Sequence, residues 1–367
     1  MSTMRLAACA FLLVPALVLA GELRYPQFPP LPRPPREADN PPTPARRNLG
    51  AELFFDARLS GSGFTACNNC HVYNTNWQDN LVKPRPDTSQ GTEFFTLPFN
   101  TESLLNIAYR PFFFRDGRLT DIGHAFTEPW IEDNQQLGKT RPQAATTLAT
   151  LLREHPGYVA RFTRAFRQNI RTLDDEAVFD LAGKALAVFA RQIVTRESPF
   201  DRWNAGRGTI SDDAEQGIIL FTGKAGCAHC HTGPNFSDGS FHNVSTSLPG
   251  PGGVRPDEGR ARVTGDPADG GKFLTPTLRQ VGMTSPYFHS GAAGTLADVI
   301  DHLDQDTGLD PNHDPLVGQV LGLTDVEKFQ IYSFLKTLRS PPTIVRGPTG
   351  KVCDDAALAA LRKQLPH

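Results

Sequence analysis

Cys67-Asn-Asn-Cys70-His71 and Cys227-Ala-His-Cys230-His231 decide how this chain is read. In each stretch two thiols one helical turn apart precede an imidazole. That spacing lets both sulfurs bond the vinyl groups of a porphyrin while the histidine turns under the iron. Cys67, Cys70, Cys227 and Cys230 are therefore the expected attachment points of two covalently bound haem c groups, with His71 and His231 as proximal ligands. Other uses of the thiols explain less of the pattern. A zinc ribbon brings its cysteine pairs close in sequence and needs no histidine after each. A dithiol redox pair or a disulfide gives no reason for the repeated histidine.

The chain has 367 residues, more than one core usually supports, so two domains are expected. Its formal net charge of -2 argues against a nucleic acid or an anionic membrane surface as the main partner. After Arg5 an apolar run from Leu6 to Leu19 leads to Ala20 and Gly21, the order of a cleaved export signal. No second apolar stretch of spanning length follows, so no membrane span is expected and the mature protein is expected in the periplasm. Cys9 falls inside that signal, and Cys353 is left unpaired.

The predicted organisation is a signal peptide over 1–20, a proline-rich arm over 21–47, an N-terminal haem domain over 48–205, a C-terminal haem domain over 206–345 and a tail over 346–367. Thr172 with Asp175 predicts one helix start, with Val178, Leu181, Ala182, Ala185 and Phe189 on its buried face. Thr324 with Glu327 predicts another, carrying Ile331, Phe334, Leu335 and Leu338 and ended by Pro341-Pro342. Alternating strands are absent. The expected fold is mainly α, with long irregular loops over 72–100 and 232–275. Gly50-Ala-Glu-Leu53-Phe54 before the first haem motif and Gly217-Ile-Ile-Leu220-Phe221 before the second suggest a duplication.

A wider set of motifs carries a family resemblance over Leu49 to Leu338. Leu53-Phe-Phe-Asp-Ala-Arg-Leu-Ser-Gly-Ser-Gly63, Asn100-Thr-Glu-Ser-Leu-Leu-Asn106, Asp116-Gly-Arg118, Ser198-Pro-Phe-Asp-Arg-Trp203, Thr275-Pro-Thr-Leu-Arg279 and Thr284-Ser-Pro-Tyr-Phe-His-Ser-Gly291 with Thr295-Leu296 occur in one order. Together they resemble the bacterial di-haem cytochrome c peroxidases and the related MauG-like enzymes. The resemblance implies two cytochrome c-like helical domains with one haem each. It also implies one calcium ion between them, held by Asn100 and the carbonyls of Thr284 and Pro286. Hydrogen peroxide would be reduced at the N-terminal haem with electrons passed from the C-terminal haem, the donor being a small periplasmic cytochrome c or cupredoxin. The alternatives are a MauG-like oxidase modifying a protein substrate, and a di-haem electron carrier or sensor.

Several positions depart from that pattern. The family's distal glutamate aligns with Gln135 and Gln136, which cannot shuttle a proton as a carboxyl does. A distal glutamine aligns with Ala125, and the tryptophan of the Phe-Trp-Asp-Gly motif is Arg115. His124, Glu128 and Glu132 are the nearby candidates to take over distal chemistry. The sixth ligand of the C-terminal iron aligns with Leu303, expected to pack against the porphyrin beside Leu296, Val299 and Ile300, and His302 is the adjacent candidate iron ligand. Met283 is expected in the core, and Trp77, Trp130 and Trp203 are candidate electron relays.

Overall fold

The computed structural model describes residues 22–82, 99–131, 137–195, 197–246, 257–306, 310, 312–317 and 320–340. The expected signal over 1–20, Cys9, Glu132, Gln135, Gln136, Cys353 and the expected tail over 346–367 lie outside these residues. The fold is mainly helical, and β1 (Phe241–His242) pairs antiparallel with β2 (Phe273–Leu274). The N-terminal half holds α1 (Pro44–Phe55), α2 (Ile122–Thr127), α3 (Arg141–Glu154), α4 (Pro156–Phe166) and α5 (Asp175–Ala190). The C-terminal half holds α6 (Pro199–Asn204), α7 (Asp212–Thr222), α8 (Ala261–Thr264), α9 (Leu296–Gln305) and α10 (Asp325–Thr337).

Local chemistry sets the helix ends. Thr43 caps α1 by accepting from the Arg46 amide at 3.3 Å, with Pro44 in the first turn, where its missing N–H costs nothing. Thr324 and Glu327 form the expected capping box of α10. The start of α5 differs from expectation: Asp174, not Thr172, caps it, accepting from the Ala177 amide at 2.7 Å. A carboxylate there complements the helix dipole better than a hydroxyl.

Each half is organised around one helix pair, α1 against α5 and α7 against α10. Both crossings are close because a glycine sits at the contact. A Cβ on Gly50 would overlap the Ala185 carbonyl, and a Cβ on Gly217 would overlap the Gln330 carbonyl. The next atoms met are the Cβ of Phe189 and the Cβ of Phe334, buried at matching places in the two cores. The hint of duplication in the sequence is thus a shared helix crossing. Gly217→Ala is expected to destabilise the protein by about 3 kcal/mol through overpacking, despite the ~1 kcal/mol that alanine gains in helix propensity. Denaturant unfolding of the haem-loaded protein checks the sign, and a stabilised variant would deny the close crossing.

The second shared feature is a pair of tight loops. Phe113 bridges Leu119, and Tyr287 bridges Ala293. The residues after them repeat a left-handed backbone, Phe114 and Gly117 at φ 64° and 69°, Phe288 and Gly291 at 62° and 70°. Phenylalanine rarely adopts this conformation, so its recurrence marks the same built turn in both halves.

The proline-rich stretch is not a simple linker before the first domain. Phe28 is fully buried in the C-terminal core, stacked on Phe236 at 4.7 Å and edge-on to Phe200 and Phe221. Asn204 clamps this segment through its Nδ2, which donates to the Phe28 carbonyl at 3.0 Å, and its Oδ1, which accepts from the Tyr25 amide at 2.7 Å. Asn40 then ties the chain to α5 through the Lys184 carbonyl, and α1 begins at Pro44, inside the expected arm. The chain therefore straps the C-terminal core before it builds the N-terminal one. Met283 is also displaced from its expected place, being 38% exposed.

Candidate haem sites

Cys67–Asn69 and Cys227–His229 form single 3-10 turns, each followed by the second cysteine and the histidine. The amide of His71 donates to the Cys67 carbonyl and that of His231 to the Cys227 carbonyl, both at 2.9 Å. The two loops are thus closed alike. Among the described residues the four cysteines do not converge on one point, which leaves no tetrathiolate zinc site. Burial pushes the thiols of Cys67, Cys70 and Cys227 up to about 12.

Each histidine is held by its other nitrogen. His71 Nδ1 lies 3.3 Å from the Trp77 carbonyl, and His231 Nδ1 lies 3.1 Å from the Phe236 carbonyl. A carbonyl only accepts, so Nδ1 carries the proton in both rings and Nε2 keeps its lone pair for a metal. Burial pulls both imidazoles below their ordinary pKa, opposed by these carbonyl bonds, which favours the neutral, ligating form. Trp77 and Phe236 present their carbonyls from left-handed backbone at φ 62° and 52°.

The motifs that carry the resemblance explain how those carbonyls are placed. On the C-terminal side, Asp201 and Arg279 form a bidentate pair at 2.8 and 2.9 Å, both side chains nearly inaccessible. Arg279 Nε donates to the Pro234 carbonyl at 2.6 Å, and the Thr277 hydroxyl donates to the Asn235 carbonyl at 2.6 Å. The segment carrying Phe236 is therefore pinned residue by residue. On the N-terminal side, the Ser103 hydroxyl donates to the Asn76 carbonyl at 2.6 Å, and Thr101 donates to Asp79 at 2.9 Å.

A cavity of about 360 Å³ opens beside Cys67, Cys70 and His71. Phe113, Phe114, Ala125, Phe126, Pro129 and Ile131 give it apolar walls. Its charged lining is Arg110, Arg115, Arg118 and Arg262 against Glu102 and Glu128. Four guanidiniums facing two carboxylates suit an occupant with a flat apolar body and anionic edge groups, as a porphyrin with two propionates has. The buried Nε of Arg115 has no hydrogen-bond partner among the described residues, which fits a missing acceptor on that occupant. The residues fit haem.

They do not fit calcium in the same way. Asn100, expected as its side-chain ligand, is buried, and its Nδ2 donates to the Pro286 carbonyl at 2.8 Å while its Oδ1 accepts from the Arg115 guanidinium. Two oxygens of the expected set already serve protein N–H groups, and a hard cation needs them free. Thr284 lies at the same junction, lining a smaller cavity with Arg115 and Pro286.

The remaining candidates separate. His124 is not in the cavity: α2 buries Ile122, Gly123, Phe126 and Thr127, so the intervening His124 faces outward, 52% exposed, near Asp121 and Asp180. Glu128, just beyond α2, does line the cavity, with Arg118 Nε at 3.8 Å and the Arg118 guanidinium over the Phe114 ring at 3.7 Å. Arg118 was legible only as part of Asp116-Gly-Arg118. His302 Nε2 lies 2.9 Å from the Val244 carbonyl and donates to it, which leaves only Nδ1 with a lone pair, and Leu303 is half-buried on α9.

Of the tryptophans, Trp77 packs against Phe54 and Phe189, Trp130 is fully buried against Phe179, and Trp203 donates to Glu215 at 2.8 Å. His242, which sequence reasoning missed, stands beside Cys230 and within 2.8 Å of Asp238 and 2.5 Å of Asp314.

The family model described as di-haem cytochrome c peroxidase matches residues 44–209. A cytochrome-c peroxidase, IdrP1, of Denitromonas iodatirespirans is 32% identical over 92% of this chain and 93% of its own length. The methylamine utilization protein MauG of Methylorubrum extorquens is 32% identical over 90% of this chain and 87% of its own. Among solved structures, a MauG-like protein associated with microbial copper homeostasis superposes with a TM-score of 0.70 at 26% identity, covering 84% of this chain and 93% of that one. The likeness spans both haem-binding loops and the helix pairs that carry them, and the chain therefore belongs to the di-haem cytochrome c peroxidase family.

Proposed function

We propose that the protein is an exported, periplasmic di-haem peroxidase that reduces hydrogen peroxide in the cavity beside His71 with electrons entering through the C-terminal half. His71 and His231 are its proximal ligands, and Cys67, Cys70, Cys227 and Cys230 its thioether positions. Two bound haems supply two one-electron centres, matching the two electrons that convert one peroxide and two protons to two waters. The observation that carries the reading is the cavity itself, which joins one haem loop to an ionisable carboxyl, Glu128, and a guanidinium, Arg118.

In this reading Glu128 takes a proton from the nearer peroxide oxygen and delivers it to the departing one, the work assigned elsewhere in the family to the position of Gln135 and Gln136. Arg118, 3.8 Å away, steadies the carboxylate before it takes the proton and again after it has given it up. Glu128→Gln keeps the shape and removes the proton carrier, so peroxide turnover is expected to fall by about 10²–10⁴-fold. Turnover within a factor of about three of the parent would transfer the role to another group.

The test of the function is oxidation of a pre-reduced small c-type cytochrome or cupredoxin by peroxide in the presence of the purified two-haem protein. Saturable turnover far above that of free haem is the expected result, and turnover no faster than free haem would favour a carrier or sensor. The likeness to MauG over most of the chain supports a second reading, oxidation of side chains on a partner protein. That reading predicts an oxidised state that persists after peroxide addition when no donor is present.

A further inference from the structure

We infer that Arg115 is a built-in cation that takes the place of a calcium ion at the junction of the two halves. The inference goes beyond peroxide reduction, because it concerns what holds the junction together and which metal the protein can do without.

Asn100 is the centre of that junction. It is buried at 4% exposure, and its backbone amide donates to the His289 carbonyl at 3.0 Å. Its side-chain Nδ2 donates to the Pro286 carbonyl at 2.8 Å, and its Oδ1 accepts from Arg115 Nη2. All three bonds are complementary as they stand. Turning the amide over would point its NH₂ at the guanidinium and its oxygen at the Pro286 carbonyl, two repulsions in place of two hydrogen bonds. The guanidinium therefore fixes the amide in the orientation that withholds its oxygen from any added cation.

Charge balance points the same way. Calcium sites gather carboxylates and free carbonyl oxygens around the ion. Among the described residues, the guanidiniums of Arg110 and Arg115 stand at this junction against the carboxylate of Glu102, which pairs with Arg110 and lies 3.9 Å from Arg115. A divalent cation on Asn100 would sit beside a buried guanidinium, where water screens little. Arg115 also bridges the halves through its backbone, since its carbonyl accepts from the Leu274 amide at 2.9 Å. One residue thus supplies the positive charge, the bond to Asn100 and a tie to the other half.

The test uses the purified protein with its haem content measured first, dialysed against EGTA and then against calcium-free buffer. Fewer than about 0.1 calcium per chain by elemental analysis, and a melting temperature unmoved by millimolar calcium, are the expected results. Arg115→Gln frees the Asn100 oxygen and removes the excess positive charge while Arg110 stays paired with Glu102, so this variant is expected to hold about one calcium per chain and to melt higher when calcium is added. One calcium per parent chain, or a parent melting temperature that rises with calcium, would overturn the inference. So would a folded Arg115→Gln protein indifferent to calcium. Should that variant not fold, the parent's calcium content and melting curve decide alone. A haem count other than two per chain would count against the proposed function and leave the calcium result readable.

Discussion

His71→Gly is expected to abolish peroxide turnover while both haems stay attached. In the proposed site attachment falls to the sulfurs of Cys67 and Cys70 and the proximal bond to the imidazole, so the substitution separates the two. Losing a partner that merely orients a ligating histidine costs roughly 10–100-fold in activity or affinity, and losing the ligand itself should cost more. The cavity left by the imidazole is walled by the loop closed on the Trp77 carbonyl. Added imidazole is therefore expected to restore part of the activity, with Nδ1–H again donating to that carbonyl. Retention of more than about a tenth of the parent turnover without imidazole would remove His71 from the proximal position.

Arg279→Met is expected to cost about 3–5 kcal/mol of stability, because it strands a buried carboxylate. Asp201 is 2% exposed and takes four hydrogen bonds of about 2.8 to 2.9 Å, two from Arg279 and two from Ser198. Burial pushes its carboxyl up, but the bonds and charge of Arg279 together with the Ser198 bonds outweigh that and hold it below the usual range. The pair therefore contributes stability that is fully present above the ordinary aspartate range near pH ~4 and is lost as pH falls through the lower folded value. The gap between parent and Asp201→Asn should accordingly narrow in acid. The double substitution Asp201→Asn with Arg279→Met should cost less than the sum of the two, since no lone charge is left. Because Arg279 also holds the Pro234 carbonyl, the variant should disturb His231 ligation before it unfolds. Unfolding curves together with the haem spectrum check both parts, and a loss under about 1 kcal/mol would mean the pair is hydrated.

The two Cys-x-x-Cys-His loops could be picked out in the sequence because the chemistry proposed for them needs five contiguous residues, and no fold is required to see them. The apolar faces of α5 and α10 were legible, since helical spacing reports burial directly, whereas the stretches from Gly50 and Gly217 hinted only at duplication and did not show which helices cross there. Phe28 could not be placed. Its partners Phe200, Phe221 and Phe236 are distant in sequence, and a proline-rich composition describes an extended chain without saying what it lies against. His124 and Glu128 were indistinguishable as candidates until α2 turned one outward and left the other at the cavity. The calcium set carried over from the resemblance shows a different difficulty. Asn100, Thr284 and Pro286 are all present, and the bond from Arg115 to the Asn100 oxygen cannot be seen from the sequence.

The haem count per mature chain tests the account most directly. Pyridine haemochrome absorbance and intact mass should give two porphyrins per polypeptide that survive denaturation and acid-acetone extraction, as thioether bonds require. Haem that extracts into the solvent, or a chain carrying none despite an intact maturation system, would contradict it.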